Sequence, residues 1–483
     1  MILFLGLLVL SFAIASPLDA ANLGSQASFQ ISQDGPPQEE LGHTMVPPLQ
    51  GMVHRSLALS GPIANRINLV FFGDGYTHDE QEQFYKDAQK LTADIIKPNA
   101  SYGPVAALLN IHAVFVPSNE TGIGTHGQAR NTVFGLYRPG SELRGVFYKH
   151  KRRVMQACDY WRTLGKGCDE PILLGNDPLY GGLGGTPTVI TASKINGPLV
   201  LRHELGHTLI PAGEEYDGGY AYFGANSAPL SAVGDGLSWE HWLSEPDQKL
   251  RLEDSKVPLQ AYPWQDLMSQ PYKTQFSATN GSYSTALLRL SISGIPYESH
   301  LDISLNGVRV NYSIPSQSKG ENDRAWIQVP LESGLGAYGD RSRQFELVVR
   351  LSEVGGSAPV TQGGKMLSSV ELIEYGPAER FNKTPGYIGA FPTYDERGNL
   401  TLRPVRLGRS AGPVFNLSAV RVVQTDETCL MRDVTYPCES LPTAQPKTSL
   451  SVALLTGVHL SSSFLSCLPR GAIPSALRPG RPD

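Results

Sequence analysis

Two periodicities and one motif place this chain in the α/β class with an inserted β-sandwich. Between residues 67 and 115 an apolar strand, an amphipathic helix and a second apolar strand follow one another, the order of an α/β layer. Between 284 and 375 apolar and polar residues alternate, and Asn306-Gly307 separates two such runs, which marks antiparallel sheets. Between those two regions His203 and His207 stand four residues apart, with Glu204 beside the first.

The elements follow in order. The leader MILFLGLLVLSFAIASPLDA carries an apolar run from Ile2 to Ile14 and the small-residue pattern Ala13-Ile14-Ala15. That pattern predicts a secretory signal peptide over residues 1–15. The run is too short to span a bilayer comfortably, so no stable membrane anchor is expected there. Residues 16–64 are rich in Pro, Gly, Ser and Gln and read as a flexible lead-in. INLVFFGDGYT then reads as a buried strand, Ile67 to Phe72, ending in a Gly-Asp-Gly turn. In the next segment Phe84, Ala88, Leu91 and Ile95 recur at helical spacing, which predicts an amphipathic helix. LLNIHAVFVPS and TVITAS are further strands. The glycine-rich run before TVITAS reads as a loop; no Gly-Lys-Ser/Thr follows to make it a phosphate loop.

In the later region Leu288, Leu290 and Ile292 alternate with Arg289, Ser291 and Ser293. LDISLNGVRVNYSI predicts a hairpin with a two-residue turn. Val308, Val310 and Tyr312 are expected to face inward and Asn311 outward. The C-terminal residues after about 440 show no clear period. They end in RPGRPD, too polar for a glycolipid-anchor signal.

Composition narrows the function. The net charge of -5 argues against a general nucleic-acid binder, which needs a basic face. Sequons begin at Asn99, Asn119, Asn280, Asn311, Asn382, Asn399 and Asn416. Together with the leader they predict a secreted, N-glycosylated protein. In an oxidising compartment Cys158–Cys168 and Cys429–Cys438 are plausible local disulfides, leaving Cys467 unpaired.

The stretch RHELGHTLIPAGEEYD, Arg202 to Asp217, carries the chemistry. A helix beginning near Pro198 puts His203 and His207 on one face, one turn apart, where both imidazoles converge on one ion. Glu204 stands beside that face, within reach of a water rather than of the metal. Pro211 and Gly213 stop the helix and turn Glu214, Glu215 and Asp217 back toward the histidines. Two imidazoles and a carboxylate suit one zinc ion with an open position. Glu204 is then the general base. A plain helix with solvated histidines is the simpler alternative. The Pro/Gly stop, the carboxylates and the leader favour the metal.

RHELGHTLIPAGEEYDGGYAYFGANSA resembles the site of the immunoglobulin A peptidase family of zinc metallopeptidases, in its eukaryotic secreted branch. The family pattern is HExGH, a short run, Asp or Glu, then Glu-Tyr. Here these are His203, Glu204, Gly206, His207, Glu214, Glu215 and Tyr216. LVFFGDGYT, CDEPILLGNDPLYGGLGG and RPVRLGRSAG with TDETCLMR are similar to other family elements. The resemblance spans about 65 to 438 and implies a metzincin-like catalytic domain interrupted by the sandwich. With the sandwich read from the alternation and the tail from its lack of period, the chain divides into a first catalytic part over 65–275, the sandwich over 280–375, a second catalytic part over 376–440 and an irregular tail over 441–483. The resemblance also bears on single residues. It places Met431, otherwise an ordinary core residue, in a turn beneath the zinc. It favours Glu215 as third zinc ligand, because the family tolerates Asp or Glu at the first carboxylate position and keeps Glu at the second. Glu214 then orients a histidine N–H and Asp217 caps the following turn. After Cys438 the chain departs from the family pattern.

The function expected is secreted zinc-dependent endopeptidase action on protein or peptide substrates. The alternatives are a noncatalytic surface or adhesion glycoprotein with a vestigial metal site, and a zinc hydrolase of small peptides or amides. Cleavage of immunoglobulin A itself does not follow, since no residue specifies that substrate.

Overall fold

The computed structural model describes residues 52–98, 101–209, 255–281, 285–339 and 343–375, the single residues 49 and 283, and the strands at 228–229, 388–394 and 400–406. The leader, the carboxylates after Pro211, Met431 and the three C-terminal cysteines lie outside the described residues.

The first part is a layer of eight strands and three helices. The strands are β1 (Val53–Ala58), β2 (Ile67–Asp74), β3 (Leu109–Phe115), β4 (Leu136–Tyr137), β5 (Phe147–Tyr148), β6 (Glu170–Gly175), β7 (Gly182–Leu183) and β8 (Thr188–Thr191). The helices are α1 (Gln81–Ile95), α2 (Lys151–Thr163) and α3 (Gly197–Leu209). Six strands form one sheet in the order β1-β3-β2-β6-β8-β7. Its inner four are parallel, and β1 and β7 close the edges antiparallel.

Strand alternation sorts the core into two faces. Leu69 and Phe71 of β2 join α1 and α3 on one side. Val70 and Phe72 join α2 on the other. Every residue of β2 is buried, as a parallel strand covered on both faces must be. Phe84, Ala88, Leu91 and Ile95 of α1 are buried as their spacing predicts. Helix α2 was not foreseen, although Val154, Ala157, Cys158 and Trp161 follow a helical period and form its buried face. A disulfide joins Cys158 to Cys168, the pairing expected from their proximity.

The Gly-Asp-Gly turn has a physical explanation. Asp74 is fully buried and accepts from Thr132 Oγ1 (2.8 Å), Phe134 N (2.6 Å) and Leu136 N (2.8 Å). It thereby fixes the loop that crosses the C-terminal ends of the strands. Burial pushes its pKa up, against the pull of those bonds. Gly75 has φ +75°, and a Cβ there would lie 2.3 Å from Gly122 O, so only glycine fits.

The second region holds, among the described residues, two larger antiparallel sheets and a three-stranded one. Its elements are β9 (Ala228–Pro229), β10 (Ser255–Ala261), β11 (Gln265–Asp266), β12 (Tyr272–Ser277), β13 (Thr285–Ser293), β14 (Leu301–Leu305), β15 (Val308–Arg309), β16 (Ala325–Leu331), β17 (Gln344–Leu351), α4 (Glu353–Ser357), β18 (Met366–Tyr375), β19 (Ile388–Tyr394) and β20 (Leu400–Arg406). One sheet runs β10-β18-β13-β16, with β11 also on β18, and the other runs β12-β17-β14-β15. Leu288, Leu290 and Ile327 from the first and Ile303, Leu347 and Val349 from the second share one apolar cluster. The sheets draw in β10, β11 and β12, upstream of residue 280 where the alternation suggested a start. Strand β20 pairs with both β19 and β9.

The hairpin at Asn306-Gly307 forms, with φ +48° and +77°, both in the left-handed region a tight two-residue turn needs. Val310 is buried, Tyr312 is half-buried against the cluster, and Asn311 is exposed. Val308 departs from expectation and is 49% exposed. It sits at the tip of an edge hairpin whose second strand is two residues long, beyond the rim of the core. No helix among the described residues is long and apolar enough to cross a membrane.

Candidate metal centre

Helix α3 carries the site. It is 13 residues long and begins at Gly197. Pro198 stands in its first turn, where a missing N–H costs nothing. Asn196 O accepts from Val200 N (2.9 Å), closing that turn. Residues Leu199 to Gly206 are all buried, polar side chains included. Such a helix is held by its neighbours rather than by an amphipathic stripe. Arg202 Nη1 meets Asp94 Oδ2 of α1 at 2.6 Å. Tyr102 donates to Arg202 O at 3.3 Å.

On this helix His203 Nε2 and His207 Nε2 lie 3.1 Å apart. Their rings stand nearly perpendicular, 4.7 Å between centroids. One ligand atom from each of His203, Glu204 and His207 falls within 4.8 Å of the others. His203 and Glu204 are buried and His207 is half-buried, so the cluster opens on one side. Glu215, Glu214 and Asp217 lie outside the described residues.

Facing the helix is the strip Tyr180–Gly185, which includes β7. A Cβ on Gly184 would lie 2.8 Å from Glu204 Oε2 and 3.3 Å from His207 Cδ2. One on Gly182 would lie 3.3 Å from Glu204 Oε1 and 2.5 Å from Val200 Cγ1. The glycines read as a plain loop in the sequence therefore make room for the carboxylate. A buried ion pair anchors the start of the strip. Arg138 Nη2 lies 3.0 Å from Asp177 Oδ2 and donates to Leu179 O at 3.2 Å. Asp177 Oδ1 accepts from Leu179 N at 2.9 Å.

Beneath the end of α3 sits Glu170, whose pKa burial pushes up to about 8. It accepts from Thr188 N and Thr188 Oγ1, each at 3.3 Å. Thr188 Oγ1 in turn lies 3.1 Å from Thr208 Oγ1 of α3. Asp74, Arg138, Asp177 and Glu170 had no assigned role in the sequence reading. Their signal is a charged residue inside an otherwise apolar or glycine-rich run.

The family model for IgA Peptidase M64 matches residues 56–231. Over those residues the chain is similar to the IgA peptidase M64 family. The match runs from within β1 to just past β9 and takes in all of α3. That family is one of peptidases. The His203, Glu204 and His207 group could hold the metal of an M64 metallopeptidase. No curated protein matches the chain. Among solved structures, a BuGH86 variant in complex with neoagarooctaose aligns at 13% identity and TM-score 0.16 over 26% of this chain and 16% of that one. The beta-porphyranase BpGH86A of glycoside hydrolase family 86, from the human gut bacterium Bacteroides plebeius, aligns at 16% identity and TM-score 0.16 over 27% and 19%. This chain thus spans less than a fifth of either structure, and a likeness at that score carries no argument.

Proposed function

We propose that this chain is a secreted zinc endopeptidase with Glu204 as general base. The observation that carries the reading is the imidazole pair. Two nitrogens bound tetrahedrally to one zinc at about 2.0–2.1 Å stand roughly 3.3 Å apart. His203 Nε2 and His207 Nε2 are 3.1 Å apart. The donor set of neutral imidazoles and a carboxylate also suits zinc. His203 and His207 would hold the ion with Glu215. A bound zinc supplies a Lewis acid that polarises the scissile carbonyl and lowers the pKa of the attacking water.

The chain's own groups do the rest. Glu204 is buried beside the imidazoles, and Gly182 and Gly184 leave the space that a Cβ at either position would take beside its two oxygens. Its carboxylate takes a proton from the attacking water and delivers it to the leaving amine. Burial of His203 and Glu204 on α3 lowers the local dielectric and strengthens each electrostatic contact there. The two-sheet region reads as an inserted β-sandwich that serves this domain. An adhesion role with a vestigial site would give no reason for an intact base.

The test is proteolysis of a peptide library by the purified chain. Cleavage is expected with zinc, loss of cleavage with a chelator, and recovery on adding zinc back. Cleavage indifferent to chelator sinks the metal reading.

Secretion is supported by the leader and by the exposure of Asn119, Asn280 and Asn311. Mass spectrometry of secreted material is expected to find a mature chain starting near Ser16 with glycans on those asparagines. An intact Met1 and bare asparagines would overturn it.

A further inference from the structure

The two-sheet region meets the peptidase layer through Asp323 and Arg324, just before β16. Asp323 is 7% exposed, and its carboxylate accepts four hydrogen bonds. Oδ1 takes Tyr180 N (2.5 Å) and Arg324 N (2.8 Å). Oδ2 takes Ser193 Oγ (2.6 Å) and Asn196 Nδ2 (2.9 Å). Ser193 Oγ also accepts from Asn196 N (2.9 Å), so Ser193 and Asn196 form the turn from which α3 starts. Tyr180 begins the glycine strip. One carboxylate therefore ties together the two elements that face each other across Glu204.

Arg324 fixes that carboxylate in place. Its guanidinium carbon lies 4.2 Å from the Trp326 ring centroid, 4.8 Å from Tyr180 and 5.2 Å from Trp264. Its Nε donates to Ser291 Oγ at 2.7 Å. Arg324 O accepts from Asn196 Nδ2 at 2.9 Å, a second link to the helix start. The carboxylate also lies at the positive end of the α3 dipole.

We propose that Asp323 is a positioning residue for the peptidase site, setting the spacing between the start of α3 and the glycine strip from outside the catalytic layer. Asn196 and His203 are seven residues apart on a helix that rises about 1.5 Å per residue. A stiff helix of that length passes a shift at its start on to the imidazoles. A misplacement of about 1 Å from a distant substitution costs up to roughly 100-fold in rate. The proposal rests on the peptidase reading of α3.

The test uses the full zinc-loaded chain with Asp323→Ala, Ser193→Ala and, as control, Lys194→Ala. The control breaks only the exposed Lys194–Glu321 ion pair at the same junction, 3.5 Å long. Two readouts are taken: kcat and KM on a cleaved peptide, and amide hydrogen exchange over 180–185 and 196–209. Asp323→Ala is expected to lower kcat about 10–100-fold with KM nearly unchanged, and to speed exchange in those two segments while α1 and α2 exchange as in wild type. Lys194→Ala is expected to match wild type in both. Wild-type exchange in the two segments, or wild-type kcat despite faster exchange, overturns the proposal. If Asp323→Ala fails to fold, Ser193→Ala reads the same contact by the same criteria. If the wild-type chain cleaves no peptide, the catalytic reading fails, and exchange still decides whether Asp323 holds the two elements.

Discussion

Glu204→Gln is expected to bind zinc as the native chain does and to lose peptide hydrolysis about 10²–10⁴-fold. That is a barrier higher by roughly 3–5 kcal/mol. Gln keeps the shape and fits the same space against Gly182 and Gly184. Its amide cannot take a proton from water at neutral pH, so the base is lost while the donors of His203 and His207 stay in place. Zinc content by elemental analysis and kcat on a peptide substrate separate the two effects. Wild-type turnover in the zinc-loaded variant would remove Glu204 from the mechanism. Loss of zinc in the variant would instead make Glu204 a ligand, which its distance to the histidines permits.

The second large effect concerns the third ligand. Glu215→Ala is expected to emerge without bound zinc and without activity, whereas Glu214→Ala keeps its zinc and loses at most about 10–100-fold in affinity or rate. If the chain stays irregular after Gly213, adjacent side chains point apart, and only one of the two carboxylates then faces the metal. A zinc–oxygen distance of about 2.0–2.2 Å also tolerates poorly a carboxylate moved by one methylene. Elemental analysis of both variants decides the matter, and loss of zinc only in Glu214→Ala would show the neighbour to be the ligand.

Much of the candidate site was legible because it is local. His203 and His207 are four residues apart, and helical geometry alone brings their nitrogens to 3.1 Å. The buried strand at Ile67, the face of α1 and the Asn306-Gly307 hairpin were legible for the same reason: each repeats within a few residues. Alternation in β13 was read correctly as strand, but it left open what its polar face meets. The structure buries Ser291 beneath Arg324 and sets Arg289 against Glu371 at 3.1 Å. Polarity along a strand records what a face can bond to, and here the partner is protein rather than water.

The amino-acid sequence by itself determined the family resemblance, the helix that presents two imidazoles and a carboxylate, and the strand–helix–strand order of β2, α1 and β3. Only the tertiary structure decided what holds that helix in place. Asp323 bonds to Ser193 across 130 positions and to Tyr180 across 143. No periodicity connects such residues, because their pairing depends on how two sheets and a layer dock. The glycine strip shows the same division. Its composition announced a turn, but the reason for Gly184 is the Glu204 oxygen 2.8 Å from where a Cβ would stand. That neighbour is 20 residues away in sequence and adjacent only once α3 lies against β7.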